Sequence, residues 1–558
     1  MFTQSAPEVH DVIVIGSGAA GGMSAWNLAV NHGVTVLMLD AGTRFKREDF
    51  WTHVKPWQWR ERIEKGLAPP KIQLDSNEQP YISKEPNTFD LIRVWGRGGK
   101  TNIWGRVALR YSDLDFEGPA KDGWEIPWPI RYKDIAPYYD KVEQEIGVCG
   151  GDDDTDSLPG SRYHQPPPAL RCGERFMKRS AEAMGIKVVN QRKAVNTKPT
   201  NGHNPCHYCG ACGRGCDVSA FFNSTDYLTD KAEKTGRLKI VDNAVVAHII
   251  LGDNGLAKGV RYFDRYSKAE RIVYGKRIIL GASCVDSTRI LLNSKIGNSS
   301  GVIGNYLCEQ VRFHMMGFVP ELMGTKALND DGLGGEHIYL PRYNARDGRK
   351  RDYLRGFGSQ FWNTGAQAGV GNWAKQIAGF GLDYKKSIKK RYPALVAMHP
   401  YGEVLPYKHN RVSVDGTPKD RYGIPISRIE YGIAGNEKKM LNEMYDMAEG
   451  VFRGMKAEIV PYQRGAIDPF GSAIHEHGTC RMGDDPKRSA LNGFNQMHDV
   501  KNVFVVDGSS FTTASEKNPT LTILALAWRA TDYLADQMRT GGVSLQLSPV
   551  LTGDLRLA

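Results

Sequence analysis

No apolar run in the 558-residue chain approaches the length of a transmembrane helix, so nothing in it reads as a bilayer span. Its first residues, MFTQSAPEVHD, hold no apolar stretch of the kind a secretory signal needs. On that reading the chain is expected to be cytoplasmic, unless a signal-bearing partner exports the folded complex. There is no internal repeat and no low-complexity segment, which excludes solenoid and linker-like architectures. There is also no disulfide framework. Of the nine cysteines, Cys149, Cys172, Cys284, Cys308 and Cys480 are scattered, whereas Cys206, Cys209, Cys212 and Cys216 fall within eleven residues. The net charge of +11 comes with no nucleic-acid recognition motif. The basic runs at 346–355 (RDGRKRDYLR) and 385–391 (KKSIKKR) read as solvated faces, or as docking surface for an acidic partner such as a redox protein.

Five hundred and fifty-eight residues exceed what one core usually serves, so two or more domains are expected. The most informative stretch is residues 11–22, DVIVIGSGAAGG, read with 34–42, VTVLMLDAG. An apolar strand enters a glycine turn, a helix follows, and a second apolar strand ends on an acid. That is the context a dinucleotide-binding unit requires. Gly16 permits the tight turn, and Ser17 and Ala20 lie within the motif. Gly18 leaves room for a pyrophosphate to meet N–H groups at the helix N-terminus. Gly21 lets the helix pack on the strand, and Asp40 is placed to bond a ribose hydroxyl. The plain alternative is a tight βαβ turn with no ligand.

Residues 91–110, LIRVWGRGGKTNIWGRVALR, read as a backbone-rich loop leading into an extended segment. Helices are expected near 171–190, 225–236, 436–455 and 520–538, and strands at 238–246 and 248–251 with a hairpin return near 255. Residues 277–294 read as strand, glycine turn and helix, and add a parallel strand to the first sheet. Between 305 and 465 the texture changes to short strands and loops, as in a second domain on an antiparallel sheet. From 466 it reverts, with VKNVFVVDGSS as another apolar strand. The expected division is a dinucleotide domain over 1–310 and 466–540, a substrate domain over 311–465 and a tail over 541–558.

Cys206, Cys209, Cys212 and Cys216 have the spacing C-x2-C-x2-C-x3-C, the bacterial ferredoxin run without its final proline. Short glycine-containing loops let thiolates converge on one cluster, 4Fe–4S if all four bind or 3Fe–4S if three do. A structural zinc site, usually built from more widely spaced pairs, and simple reduced cysteines are the other readings.

With these motifs in hand, the chain resembles the glucose–methanol–choline (GMC) flavoprotein oxidoreductases over nearly its whole length. The resemblance rests on GSGAAGG with Asp40, on GRGGKTNIWGRVALR, on Ala244-Val245-Val246 and on IILGASCVDSTRILLNS. It rests further on His475-Glu476-His477-Gly478-Thr479 and on FVVDGSSFTTASEKNPTLTILALA. It implies an α/β fold in which a Rossmann-like FAD-binding domain is interrupted by a substrate domain on a largely antiparallel sheet with flanking helices. It implies FAD contacts from Arg97, Gly98, Gly99, Thr101, Asn102, Trp104, Val246, Asp507, Gly508, Pro519 and Thr520, beside those of the first turn. Ile103 stands where some members link the flavin through His, so FAD is expected to be non-covalent. The family's acid–His pair is replaced at 307–310 by Leu-Cys-Glu-Gln, which weakens any assignment there.

The resemblance also places His475 as the base that takes an alcohol proton, a task suited to imidazole near neutral pH, and Asn518 as its partner on the substrate oxygen. Alternation along an extended segment turns His477 to the other face. The cysteine run is similar to that of bacterial sugar and glucoside 3-dehydrogenase subunits. This implies a sugar or glycoside substrate, a small exported partner subunit, a cytochrome-type acceptor and periplasmic placement. An oxidase producing hydrogen peroxide and a non-catalytic electron-transfer subunit are the competing readings. Phe357, Phe361, Trp362 and Trp373 are aromatics suited either to sugar stacking or to core.

Overall fold

The structure, a computed structural model, describes residues 8–54, 58, 61–62, 64–65, 79–161, 164–326, 336–343, 349–363 and 373–541. Part of the basic run at 346–355 and almost all of the expected 541–558 tail lie outside the described residues.

Five strands form a parallel sheet in the order Val503–Val505, Ile278–Leu280, Val12–Ile15, Val36–Leu39 and Leu238–Val241. Four of the five are continuous Val, Ile, Leu, Met or Phe, which suits strands covered on both faces. Two of them come from opposite ends of the chain. The return after residue 466 places Val503–Val505 beside Ile278–Leu280. One side is covered by the helix Ala19–Trp26 and by the C-terminal helix Thr520–Thr540, joined at an edge-to-face contact between Trp26 and Trp528 with ring centroids 4.9 Å apart. Ala244–Leu251, Ala257–Asp264 and Glu270–Gly275 form a separate sheet with Val9–His10.

A seven-stranded antiparallel sheet builds the other half. Its centre is Leu395–Glu403, buried along its full length and flanked by Phe357–Asn363 and Met315–Phe318. The helix Gly435–Gly454 covers one face, with Met440, Met444, Met447, Ala448 and Val451 at helical spacing against Phe357, Phe361, Val396 and Met398. The opposite face carries Gln360, Trp362, His399 and Tyr401 and looks toward the first domain. The edge strand Val189–Asn190 comes from far upstream of 311. The helix Cys172–Ala183 also packs here, so the second half draws on more of the chain than the change of texture shows.

A buried ion network ties the two halves together. Arg342 donates to Asp115 at 3.1 Å, Glu403 at 2.8 Å and Glu516 at 2.7 Å. Lys517 pairs with Asp115 and Glu516, each at 2.8 Å. Arg355 pairs with Glu403 at 2.8 Å and with Asp122. Removing one cation from such a network leaves several carboxylates desolvated and uncompensated. Arg342→Met is therefore expected to lower unfolding stability by about 3–5 kcal/mol, read by chemical denaturation. A change below the error of that measurement would contradict this account of the network.

Candidate active site

A cavity of about 470 Å³ runs along the C-terminal ends of the parallel strands, where open α/β sheets bind ligands. At one end lie Gly16, Ser17, Gly18, Ala20 and Asp40; at the other lie His475, Asp507, Gly508, Asn518, Pro519 and Thr520. Gly99, Thr101, Trp104 and Val246 line it between them.

The first turn is built as its residue types require. Gly16 sits at φ +90°, and a Cβ there would meet the Gly281 carbonyl oxygen at 2.6 Å. A Cβ on Gly21 would lie 1.8 Å from the Gly16 oxygen, so helix and strand touch. Gly18, by contrast, has nothing within 4 Å. It is the N-cap of Ala19–Trp26 and provides no side-chain cap, so first-turn N–H groups remain for an anion. Asp40 accepts from the Ser17 N–H at 2.9 Å, the Ser17 hydroxyl at 2.5 Å and the Gly42 N–H at 2.8 Å. Ser17 Oγ in turn accepts from the Gly98 N–H at 2.9 Å. One buried hydroxyl therefore joins the first turn, its acid and the second glycine loop. A carboxylate has further lone pairs, and those of Asp40 border the cavity.

Four residues read as cofactor contacts do not line the cavity. Gly21 packs beneath the turn. Arg97 is engaged bidentately by Asp242 at 2.6 and 3.1 Å and by Glu233 at 3.1 Å. Gly98 and Asn102 shape the loop, with Asn102 Nδ2 donating to the Arg97 and Gly99 carbonyls. Lys100, which the sequence reading passed over, does line the cavity and pairs with Glu476 at 2.8 Å.

At the far end, His475 Nδ1–H donates to Gln310 Oε1 at 2.6 Å, and Asn518 Nδ2–H donates to His475 Nε2 at 3.0 Å. Neither orientation is free. Gln310 Nε2 donates to the carbonyls of Ser515 at 2.6 Å and Lys517 at 3.0 Å, so its oxygen must face His475. Asn518 Oδ1 accepts from Gln360 Nε2 at 2.7 Å, so its amide nitrogen must face His475. The imidazole is thereby held with Nε2 as the proton-accepting atom. Burial, with His477, Arg312 and Lys100 nearby, keeps its pKa well below the ordinary imidazole range, so it is neutral at physiological pH with the Nε2 lone pair unprotonated. Gln310 falls in the very stretch where departure from the family pattern weakens any assignment, and only its long-range contacts show its role. The residues on each side of this segment are conformationally constrained. Ile474 at φ +63° and Thr479 at φ +73° are β-branched residues in the left-handed region, a cost tolerated mostly where a site needs it.

His477 faces away, its Nε2 3.2 Å from the Tyr111 hydroxyl and its ring tilted on Phe511. Phe357, Phe361 and Trp373 lie in the core, while half-buried Trp362 borders a second cavity.

The cysteine segment adjoins the main cavity. Gly213, between Cys212 and Cys216, is part of its wall, and Trp104 lines it while packing on the small core that holds Cys149, Cys212 and Cys216. No disulfide joins the four clustered cysteines, and Cys212 and Cys216 are buried. Backbone N–H groups of Tyr208 and Ala220 donate to Cys206 Sγ at 3.4 Å and Cys216 Sγ at 3.2 Å, the environment iron–sulfur sulfurs favour. Tetrahedral zinc would need thiolates ~3.8 Å apart. No three of these four sulfurs come within 4.8 Å of one another; among the described residues His53, His207 and Asp217 do. An iron–sulfur cluster binds its cysteines at different irons and so holds them further apart.

Two family models described as GMC oxidoreductase match residues 13–312 and 406–527. The chain is 28% identical over 556 residues to the 2-methyl-1,2-propanediol dehydrogenase of Mycolicibacterium austroafricanum, covering 96% of each chain. It is 26% identical over 557 residues to the fructose dehydrogenase large subunit of Gluconobacter japonicus, covering 95% of this chain and 98% of that one. Pyridoxine 4-oxidase from Mesorbium loti shares the fold with a TM-score of 0.63 at 14% identity, over 94% of this chain and 99% of that one.

Beside His475, burial pushes the Glu309 carboxyl up to about 8, against the pull of Arg312. The folded state therefore keeps a proton that the unfolded chain releases near 4.5. Stability from this group is full below that value and is lost as pH rises toward 8. Melting temperatures between pH 5 and 8 are expected to fall less steeply in Glu309→Gln than in wild type, and parallel curves would contradict the assignment.

Proposed function

The chain belongs to the GMC oxidoreductase family, and from that premise we propose a dehydrogenase of a secondary ring hydroxyl in sugars or glycosides, C3 being the favoured carbon. It is an FAD-dependent oxidoreductase acting on alcohol or sugar hydroxyls. The observation that carries the reading is that one cavity joins the dinucleotide turn to an imidazole locked as a base. FAD, when bound, supplies the hydride acceptor, and Gly16–Ala20, Asp40, Val246, Gly99, Thr101 and Trp104 are the residues placed to hold it.

The chain's own part is proton handling and orientation. A substrate hydroxyl that takes the place of the Asn518 N–H at His475 Nε2 gives up its proton to that nitrogen, which is free of charge and oriented by Gln310. Asn518, held by Gln360, donates to the same oxygen and fixes the carbinol carbon relative to the cavity floor. The N-terminus of Thr520–Thr540 opens on the site, and its partial positive charge favours negative charge developing on the oxygen. Asn cannot share the proton, so His475 is the only base in this pair.

For the electrons we propose an iron–sulfur cluster on Cys206, Cys209, Cys212 and Cys216, with Trp104 and Gly213 between it and the cavity. This favours a dehydrogenase feeding a cytochrome-type acceptor over an oxidase. The fructose dehydrogenase relative is a large subunit by name, which supports a small partner subunit here and, with it, export to the periplasm.

A panel of sugars and glycosides assayed with an artificial acceptor, with the product carbonyl located, tests the substrate class. The expected product is a 3-keto sugar, and turnover confined to non-sugar alcohols would overturn the reading. Protein prepared anaerobically is expected to hold about three or four irons with acid-labile sulfide; FAD without iron, or zinc in its place, would remove the electron route. His475→Ala is expected to retain yellow FAD but to lose about 10²–10⁴-fold in flavin reduction. Gln310→Leu, which frees the tautomer, is expected to lose about 10²-fold. Because neutral His475 is the active form, the acid limb of wild-type kcat/KM should lie below pH 6.5.

A further inference from the structure

Beside the cysteine run lies a second set of metal-binding side chains, which neither the alcohol chemistry nor the four thiolates use. The segment around the short helix Arg47–Phe50 packs directly on the run. Gly215 sits at φ +112°, and a Cβ there would meet the Phe50 ring at 2.2 Å, so only glycine lets the two segments touch. Arg214 Nη1 donates to the carbonyls of Trp51 at 3.3 Å and Val54 at 3.2 Å, and Arg47 Nη1 donates to the Asp217 carbonyl at 3.0 Å. These contacts bring His53 to the two ends of the run, where His207 follows Cys206 and Asp217 follows Cys216.

One ligand atom from each of His53, His207 and Asp217 lies within 4.8 Å of the other two. His53 Nε2 is 2.7 Å from Asp217 Oδ2, and the two imidazole centroids are 5.2 Å apart. Zinc ~2.05 Å from each nitrogen, with the ring centre ~1.2 Å beyond, sets two tetrahedral imidazoles ~5.2 Å apart, and two at right angles only ~4.5 Å apart. The observed spacing matches the tetrahedral one. The same geometry opens the His53–Asp217 contact to ~3.3 Å, which side-chain rotation supplies at a surface position. His53 is 61% exposed and Asp217 22%, and His207 is exposed, so an ion reaches the donors from solvent. The Asp217 carboxylate has no hydrogen-bond or ion-pair partner but His53 among the described residues. No lysine or arginine therefore competes with a metal for it.

We propose that His53, His207 and Asp217 bind one zinc ion, with water in the fourth position. Two imidazoles and a carboxylate are donors that zinc accepts. The ion clasps the segment 47–54 to both ends of the cysteine run, and so adds a metal cross-link where the arginine-to-carbonyl bonds already join the two. The site is separate from the four thiolates, and it depends neither on what they hold nor on the sugar reading above.

Calorimetric titration of the chelator-dialysed holoenzyme with Zn²⁺ tests the site, followed by zinc K-edge absorption of a sample loaded with one equivalent. One equivalent is expected to bind, and its shell is expected to show nitrogen or oxygen at ~2.0–2.1 Å and no sulfur at ~2.3 Å. His53→Ala is expected to weaken zinc binding by at least about tenfold, the least that losing even a supporting residue around a metal costs. His207→Gln provides the same test at a second ligand. Zinc is also expected to raise the melting temperature of the wild-type protein and to leave that of His53→Ala unchanged at the same concentration. No zinc binding by the wild-type protein, sulfur in the shell of the one-equivalent sample, or a loss of affinity smaller than about tenfold in either variant would overturn the site. Sulfur ligation would place the zinc on the cysteines instead, and would count against the iron–sulfur reading without bearing on the alcohol chemistry.

Discussion

The chemistry of the cavity depends on the orientation of one amide, that of Gln310. Its nitrogen is committed to the carbonyls of Ser515 and Lys517, so its oxygen can only accept, and the group opposite it can only donate. That forces His475 to carry its proton on Nδ1 and to present a lone pair at Nε2. The carbonyls that fix Gln310 lie in the same short segment as Asn518, whose own amide is fixed by Gln360. The segment is in turn clamped through Lys517 and Glu516 to Asp115 and Arg342. A buried polar network of this kind is costly if any member is missing. Here its members come from both halves of the molecule, so assembling the two halves and assembling the base are the same event.

The other end of the cavity follows the same logic on a smaller scale. Ser17 donates to Asp40 and accepts from Gly98, so the first turn cannot form its native shape without the second glycine loop. The cysteine segment then closes the side of the cavity through Gly213 and Trp104. The residues proposed to hold the cofactor, to act as base and to carry electrons therefore share walls, and none is an appendage to the fold.

What could be read from the sequence was what is local. The strand, turn and helix around Gly16 are consecutive, and their glycine spacing states their geometry. His475 and Asn518 were legible because each sits in a compact motif, although 43 residues separate them. Arg97 was read with its loop and is instead spent on Asp242 and Glu233, since an ion pair across 145 residues leaves no local mark. Gln310 was invisible for the same reason. Composition could not separate Trp362 from the core residues Phe357, Phe361 and Trp373. Strand register puts Phe361 in the core and its neighbour Trp362 at a cavity. Similarly, nothing in the two-residue stretch Val189–Asn190 announces that it pairs with Ile338–Leu340.

The central claim is that a hydride leaves a sugar carbon while its hydroxyl proton passes to a fixed imidazole. Anaerobic stopped-flow reduction of the wild-type flavin by a glucoside carrying deuterium at C3 addresses it most directly. The account predicts slower bleaching than with the protiated sugar, and no such slowing when deuterium is placed at C2 or C4 instead. Equal rates with all labels, or slowing only from another carbon, would contradict it.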